Sequence, residues 1–313
     1  MPTRRPQVIS HTPPLPFTAA DAEYIARTGK LKYERPYVRP KNESNFYLDD
    51  LTGHPILSWP PELPECDPRG NASAPAFDPW KKATDSTEGI AGNDFSFKAG
   101  GRIVPFHSYV EAKIFSCLEM NPFVVEIRPQ YPEWDAAKLF KRAAEGKKML
   151  KTSILTIDFM LTLKYPDDPK LYYHAISCKP YDLVAGAAKR HLKEFTYVNM
   201  WRCTHEIMTE FTYTEQQSVN CRRLMQYMRY VQDISSHKEN AARLALSLAR
   251  QSHGATTDQR IDQACAQHSW HRDEGYRYFG IAAFLGYVIP NHDFELWPTK
   301  PLHLRSRLIA SDS

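Results

Sequence analysis

The chain has 313 residues, which is enough for two domains and a substantial buried core. Hydrophobic residues make up 42% and charged residues 24%, and a formal net charge of +4 is too mildly basic to argue by itself for a nucleic-acid partner. No apolar stretch approaches the ~20 residues that a membrane helix needs, so we expect no membrane partner. The six cysteines form no CxxC pair, so we expect a reduced, cytoplasmic protein without a zinc knuckle.

The N-terminal region, residues 1–100, is rich in proline and holds 14 of the 24 prolines. Prolines at this density exclude a regular helix or a central strand across residues 58–80. Aromatic residues are spread through the region, so we expect an extended arm that packs on something rather than free disorder. Residues 1–41 carry eight Lys or Arg against three acids, which fits either a phosphate-contacting arm or a solvated tail.

From residue 101 onwards, helical and strand-like patterns alternate. Val110, Ile114, Phe115 and Leu118 recur at helical spacing, and Glu111 lies beside the apolar face that they form. The predicted elements are a helix from 107 or 108 to 121, a strand at 123–132, a loop or helix at 134–151, two strands at 153–163 and 171–179 that form a hairpin, and a helix at 181–195.

After about residue 200 the patterns predict a mostly helical region. The predicted elements are helices near 201–211, 214–233, 237–252, 258–269 and 272–285, followed by a hairpin at 287–302. This is the order of a winged helix-turn-helix, although other small helical domains share it. The predicted organisation is therefore an arm at 1–100, an α/β domain at 101–184 and an all-α, winged-helix-like domain at 185–313.

Two charged residues stand in the predicted hairpin, in segments that otherwise resemble buried strands. Asp158 lies in "TIDFMLTL", and Lys179 ends "LYYHAISCK". Side chains alternate along a strand, so Ser177 and Lys179 share one face while Cys178 lies on the other. A buried carboxylate and a buried ammonium need each other or a metal. The preceding helix can bring Glu111 to the same place.

These residue types are the ones that a magnesium site for phosphodiester hydrolysis uses. Carboxylate oxygens hold Mg²⁺, and the metal stabilises charge on the phosphate and lowers the pKa of the attacking water. A lysine can orient that water and offset negative charge. The structural alternative is a cross-strand ion pair between Asp158 and Lys179, with Glu111 as a solvated helix residue.

The order of these motifs also resembles a known family. The segment "FHSYVEAKIFSCLEMNPFVVEIRPQYP" (106–132) is similar to the opening of the catalytic domain in the TnsA family, the endonuclease subunits of heteromeric transposons. In that family a helix with a Glu leads to a strand ending in an Ile-Arg-x-Gln-like segment, and strands with Thr-x-Asp-Phe and Gln-x-Lys-Pro follow. The matching segments here are "EIRPQYP", "TIDF" and "SCKP". The resemblance covers about 101–184, extends more loosely to the C-terminal helices, and does not cover the proline-rich region.

The resemblance implies a restriction-endonuclease-like fold, a mixed sheet flanked by helices, and Mg²⁺-dependent cleavage of DNA at the 5′ ends of a transposon, with Mn²⁺ as a substitute. By motif position, Glu111, Asp158 and Lys179 are the catalytic set, and the backbone carbonyl of Cys178 is a further metal ligand. Ser177 stands where the family has Gln. A serine hydroxyl is shorter and a poorer ligand than an amide oxygen, so we expect Ser177 to assist only weakly, through a water molecule.

The resemblance also implies partners. These are double-stranded DNA of the transposon ends, a TnsB-like transposase that cuts and joins the 3′ ends, and a TnsC-like AAA+ ATPase contacted by the C-terminal region, in a bacterial cytoplasm at the nucleoid. We take Arg128, Arg222 and Arg223 as candidate DNA contacts, with a solvated face as the alternative for the last two. Two other functions stay open: a stand-alone restriction or repair nuclease, and a non-cleaving DNA-binding or assembly subunit in which Ser177 marks a decayed site.

Overall fold

A four-stranded mixed sheet lies at the centre of the computed structural model, which describes residues 38–53, 55–81, 92–251 and 254–305. Two short antiparallel strands, β1 and β2, precede this sheet and pair only with each other. The strands are β1 (Gly92–Ser96), β2 (Arg102–Phe106), β3 (Val124–Glu133), β4 (Leu155–Lys164), β5 (Leu171–Cys178) and β6 (Thr204–Met208). The sheet order is β3-β4-β5-β6, in which the first two pairs are antiparallel and the β5–β6 pair is parallel.

Helices lie before the sheet, within its connections and after it. They are α1 (Tyr109–Glu119), α2 (Ala136–Ala144), α3 (Tyr181–Val184), α4 (Ala188–Asn199), α5 (Glu215–Tyr227), α6 (Lys238–Ala249), α7 (Thr257–His268) and α8 (Arg272–Phe284). None of the helices in the described ranges is both long enough and apolar enough to cross a membrane. The mixed α/β class predicted from the sequence is confirmed.

Helix α1 begins at the predicted cap. The Ser108 hydroxyl accepts a 3.1 Å hydrogen bond from the backbone amide of Glu111, which satisfies one of the free donors of the first turn. Ile114, Phe115 and Leu118 are at most 1% exposed and pack into the main hydrophobic core. The N-terminus of α1 is thereby fixed against the sheet, which positions Glu111.

The hairpin of β4 and β5 is also confirmed. Its register pairs Phe159 with Ile176 and Lys164 with Leu171, and the polar segment between the strands forms the turn. The alternating apolar residues of β4 are almost fully buried because helices cover both faces of the sheet. Asp158 and Lys179 therefore come to the same end of the sheet, where β4 begins and β5 ends.

Strand β6 replaces the helix predicted at 201–211. Arg202 adopts a left-handed conformation with φ of 64°, which ends the preceding helix, and Thr204–Met208 then bonds to the free edge of β5. The local pattern could not reveal this partner, which supplies the hydrogen bonds that a strand needs. The sheet consequently continues beyond the domain boundary predicted at residue 184.

The helix predicted at 181–195 is divided into two. A short 3₁₀ turn, Ala185–Ala187, separates α3 from α4 and contains Gly186, whose backbone freedom weakens a helix. The last three helices lie within three residues of their predicted bounds, whereas α5 ends at Tyr227, six residues before the predicted end at 233.

The C-terminal segment extends back over the helices. Isolated antiparallel bridges join Thr256 to Pro301 and Pro290 to Leu304, in place of the hairpin predicted at 287–302. A single core cluster runs from Leu48 to Leu302, so the described part of the proline-rich region packs on the rest of the chain. Residues 1–37 of the predicted arm lie outside the described residues.

Candidate functional site

Glu111 lies in the first turn of α1 with its carboxylate buried, since the residue is only 6% exposed. The backbone amide of His107 donates to Oε2 at 3.1 Å and the Ser108 hydroxyl donates to Oε1 at 3.0 Å. Burial raises the pKa of Glu111 above its ordinary value, and these hydrogen bonds together with the charges of Lys179 and Lys81 act against that rise. The helix carboxylate therefore faces the lysine that follows β5 instead of solvent.

Asp158 lies near the start of β4 and is half-buried. Its Oδ2 accepts a 2.7 Å hydrogen bond from the backbone amide of Cys178. Burial raises the pKa of Asp158 to about 7, and the negative charge of Glu111 is the next cause of that rise. Because one carboxylate raises the pKa of the other, Glu111 and Asp158 share a single electrostatic site.

Cys178 and Lys179 complete this site. The backbone amide of Lys179 donates to the Met208 carbonyl at 3.0 Å, which holds the lysine beside the end of β6. The Cys178 side chain is buried in the main core, and burial raises the pKa of its thiol well above the ordinary value. The thiol thus stays protonated, and only the backbone carbonyl of Cys178 can serve as a metal ligand. Of the four residues predicted as catalytic, the structure brings Glu111 close to Asp158 and to Lys179, as their electrostatic effects show. The fourth, Ser177, has other partners.

The donor atoms of this site fit a hard divalent cation. Two carboxylates close enough to raise a pKa cannot both be ionised cheaply without a cation between them. Lys179 offsets part of the charge of Glu111, but the pKa of Asp158 still lies near neutrality. Oxygen ligands of this kind suit Mg²⁺, which keeps several of its waters when bound. We name the residues Glu111, Asp158, Cys178 and Lys179 the carboxylate site.

Ser177 occupies a different environment from the one expected. Its hydroxyl donates to Oε2 of Glu194 at 2.8 Å and lies 3.1 Å from Nε2 of His205. The side chain therefore points towards α4 and β6, while Cys178 points into the core beneath α1, as the strand alternation predicted. The expected role of Ser177 as a weak helper at the carboxylate site stays a prediction, and its hydroxyl is engaged by Glu194 and His205.

Arg128 is not a DNA contact. It is fully buried in β3, where its guanidinium pairs with Asp67 and lies 3.5 Å from the carboxylate of Glu126. It also lies over the rings of Tyr131 and Tyr173. The prediction from sequence is wrong because Arg128 stands in an apolar strand and neutralises buried acids there.

The two arginines of α5 differ from each other. Arg223 donates to the carbonyl of Leu296 and lies 3.9 Å from the ring centre of Trp297, so it anchors the C-terminal segment, and a DNA contact through it stays a prediction. Arg222 is half-buried beside Asp94, and its charge counteracts the rise that burial causes in the pKa of that carboxyl. A DNA contact through Arg222 stays a prediction.

Two further residues near the carboxylate site were not predicted from the sequence. Lys81 is exposed, and its charge lowers the pKa of Glu111. Gln130 is 4% exposed and has a φ of 49°, a value that residues other than glycine seldom adopt. Its neighbours in β3 pair with Ile157 and Phe159, so Gln130 lies across from Asp158. The Gln of "EIRPQYP" was the only sequence signal for this position.

A basic segment leaves the sheet beside the carboxylate site. Residues 136–151 connect β3 to β4, and Asp158 follows the start of β4 by only three residues. Helix α2 has no buried residue, and Phe140 is 72% exposed. The cations of this segment are Lys138, Lys141, Arg142, Lys147, Lys148 and Lys151, and its single acid is Glu145. We call residues 136–151 the basic connection.

No protein-family model matches the chain, and no curated protein sequence matches it.

Proposed function

We propose that the chain is a Mg²⁺-dependent DNA endonuclease, the TnsA-like subunit of a heteromeric transposase that cleaves the 5′ ends of a transposon during excision. The observation that carries the proposal is the pairing of Glu111 and Asp158, in which the charge of one carboxylate raises the pKa of the other beside Lys179. A purely structural ion pair would match one acid with one base. Here Lys179 and Lys81 act on Glu111 and Arg190 acts on Asp158. The two buried carboxylates nevertheless still repel each other, so a cation between them would stabilise the pair.

The residues divide the work according to their chemistry. Glu111 and Asp158 hold the cation through carboxylate oxygens, with the carbonyl of Cys178 as the expected third ligand. When bound, Mg²⁺ stabilises negative charge on the scissile phosphate and acidifies the water that attacks it. Lys179 donates hydrogen bonds that orient this water and the phosphate, and its charge limits the repulsion between the two carboxylates.

The basic connection supports DNA as the substrate. Six cations against one acid on an exposed segment provide contacts to phosphates that are independent of sequence. The segment precedes β4, in which Asp158 lies three residues after the start, so a duplex bound there would lie at the end of the sheet that carries the carboxylates. We assign to this segment the DNA contacts that the sequence analysis predicted for Arg128.

The family assignment rests on the ordered motifs and on the mixed sheet between helices. Glu in a helix, then Asp and Lys on two paired strands, is the order that the TnsA resemblance implies. In the C-terminal region, isolated bridges from Pro290 to Leu304 and from Thr256 to Pro301 take the place of the predicted wing, so the winged-helix proposal rests on the order of the helices. The last seven residues of α8, from Tyr278 to Phe284, are all buried, so this part of α8 is a core element and does not enter a DNA groove. Contact of the C-terminal region with a TnsC-like ATPase is proposed from the resemblance alone.

The test is a nicking assay on supercoiled plasmid that carries transposon ends, in Mg²⁺ and in Mn²⁺, with and without a TnsB-like transposase. We expect nicking at the 5′ ends that needs the transposase and is abolished by Asp158→Asn. The matched control is Asp167→Asn, the same substitution at an exposed position in the turn of the same hairpin, which should cleave normally.

The alternatives predict other outcomes in this assay. Cleavage by the chain alone would indicate a stand-alone restriction or repair nuclease. Identical cleavage by wild type and by Asp158→Asn would overturn the catalytic assignment and leave a non-cleaving assembly subunit.

A further inference from the structure

A second group of metal-binding side chains lies on the other side of β5 from Cys178. His191 and Glu194 come from α4, one turn apart, His205 comes from β6, and Ser177 comes from β5. We propose that these four residues bind a borderline transition-metal ion of the Zn²⁺ class. The site adjoins the carboxylate site, since the charge of Glu194 acts on Asp158, but it uses different ligands. The proposal does not depend on nuclease activity, since it concerns different ligands and a different metal. We name this group the histidine site.

The distances match a tetrahedral ion. Oε2 of Glu194 lies 3.0 Å from Nδ1 of His191 and 3.5 Å from Nε2 of His205. The Ser177 hydroxyl oxygen lies 2.8 Å from the same carboxylate oxygen and 3.1 Å from Nε2 of His205. Ligand atoms at ~2.0–2.1 Å from a tetrahedral ion lie about 3.3–3.4 Å from each other. Small movements of the side chains would therefore place a cation among these atoms.

The hydrogen bonds of this group bring its polar atoms to one point. Oε2 of Glu194 pairs with the Ser177 hydroxyl and with Nδ1 of His191, which fills its two lone-pair positions. Nε2 of His205 lies 3.5 Å from the same oxygen and 3.1 Å from the Ser177 oxygen. The other oxygen is already engaged by Nε of Arg190 at 2.7 Å. A cation at the centre would let both imidazole nitrogens and the hydroxyl act as ligands instead of competing as donors.

The donor set selects the metal. Two imidazole nitrogens and one carboxylate suit Zn²⁺ and its first-row neighbours, whereas Mg²⁺ prefers oxygen ligands and keeps its waters. Glu194 is completely buried and His191 and His205 are at most 4% exposed, so the site excludes the water shell that Mg²⁺ retains. Arg190 and the side chains of the sheet would then hold the ligands in place.

The position of the histidine site indicates how a bound ion would affect the end of β5. It joins α4 to β5 and β6 through Ser177, the residue before Cys178 and two before Lys179. A bound ion would therefore fix the end of β5 that carries the carboxylate site. In this interpretation Ser177 is a positioning residue, and it is not a defect of the Mg²⁺ site.

The experiment uses the full chain, stripped of metal with a chelator and then titrated with Zn²⁺ or with Co²⁺ as a spectroscopic probe. We expect one equivalent of bound metal, with a Co²⁺ spectrum of a four-coordinate site and without thiolate charge-transfer bands. His205→Gln and His191→Gln should each weaken Zn²⁺ binding by at least about 10-fold. His268→Gln, a histidine on α7, is the control and should bind Zn²⁺ normally.

Several outcomes would overturn the proposal. Wild-type protein that binds no stoichiometric Zn²⁺ or Co²⁺ is sufficient, and this result does not depend on whether any variant folds. Unchanged Zn²⁺ binding in His205→Gln would also reject it. Asp158→Asn separates the two sites, since it should lose Mg²⁺-dependent cleavage and keep the Co²⁺ spectrum. If Asp158→Asn loses cleavage but keeps the Co²⁺ spectrum, the result bears only on the proposed nuclease, and the proposed histidine site stands.

Discussion

The backbone amide of Cys178 donates a 2.7 Å hydrogen bond to Oδ2 of Asp158 and so ties the aspartate of β4 to the end of β5. The bond fixes one carboxylate oxygen and leaves the other available for a ligand. It also places Asp158 next to the residue that precedes Lys179. The geometry of the carboxylate site thus begins with a contact between the two strands of one hairpin.

Binding of Mg²⁺ or Mn²⁺ should depend on pH through Asp158. Its pKa is raised to about 7, first by burial and then by the charge of Glu111, so the carboxyl carries a proton below that pH and the metal must displace it. We expect the affinity for Mn²⁺ to rise with pH and to level off above about pH 7. Calorimetric titration across this range measures the effect.

In the metal-free protein, the raised pKa of Asp158 makes stability fall as pH rises, which is opposite to its effect on metal affinity. The folded state holds a proton on Asp158 between the ordinary pKa of an aspartate and about 7, so the contribution of this group to the free energy of unfolding falls as pH rises through that window. Asp158→Asn should remove this part of the pH dependence. An unfolding profile that is identical in wild type and variant would show that the raised pKa is not real.

Lys179 should affect the chemical step more than DNA binding. Lys179→Ala removes the group that we propose orients water and phosphate, so we expect kcat to fall by about 10²–10⁴-fold with little change in DNA affinity. Lys179→Arg should restore little of the lost kcat, because a planar guanidinium differs in shape from an ammonium. Single-turnover cleavage and a DNA-binding titration measure the two effects separately. Lys189→Ala, an exposed lysine of α4, is the control and should cleave at the wild-type rate.

Arg128 should contribute to stability and not to DNA binding. Its guanidinium is fully buried against Asp67, so Arg128→Met leaves an unpaired buried carboxylate and should cost about 3–5 kcal/mol of unfolding free energy. Urea unfolding measures this cost, and the double variant with Asp67→Asn should recover part of it. Lys141→Met, in the exposed basic connection, should change stability by less than about 0.5 kcal/mol. A stable Arg128→Met variant that binds DNA weakly would contradict this account.

Close packing of α5 against α8 gives a further test. A Cβ atom at Gly280 would lie 2.8 Å from Cγ of Met228 and 2.9 Å from the Leu224 carbonyl oxygen. Gly280→Ala should therefore destabilise the chain by about 1–3 kcal/mol. Gly186→Ala is the matched control, since nothing lies within 4 Å of the added atom, and it should be neutral or slightly stabilising. Thermal unfolding of both variants distinguishes a packed α8 from a helix that is free to enter a DNA groove.

Local periodicity was enough to predict α1 and the β4–β5 hairpin, because each has a strong pattern and a nearby partner. It was not enough for β6, whose hydrogen bonds come from β5 some 30 residues earlier. The core of the carboxylate site could be predicted because Asp158 and Lys179 stand out in apolar strands. Arg128 also stands in a fully buried strand, but its burial could not be predicted because its partner Asp67 comes from the proline-rich region.

The histidine site had almost no signal in the sequence. His191 and Glu194 are one helical turn apart, but His205 and Ser177 come from strands whose pairing was not predicted. The role predicted for Ser177 rested only on the residue that the resembled family has at this position. Its partners on α4 and β6 give the serine a physical role that a motif comparison could not supply.

The most direct test of the central claim is anomalous diffraction from crystals of the metal-free protein soaked in Mn²⁺. The account predicts a Mn²⁺ peak between the carboxylates of Glu111 and Asp158, with the Lys179 ammonium close by and without the peak in Asp158→Asn crystals. A Glu111 carboxylate turned away from Asp158, with no Mn²⁺ between them at concentrations that support DNA binding, would contradict it.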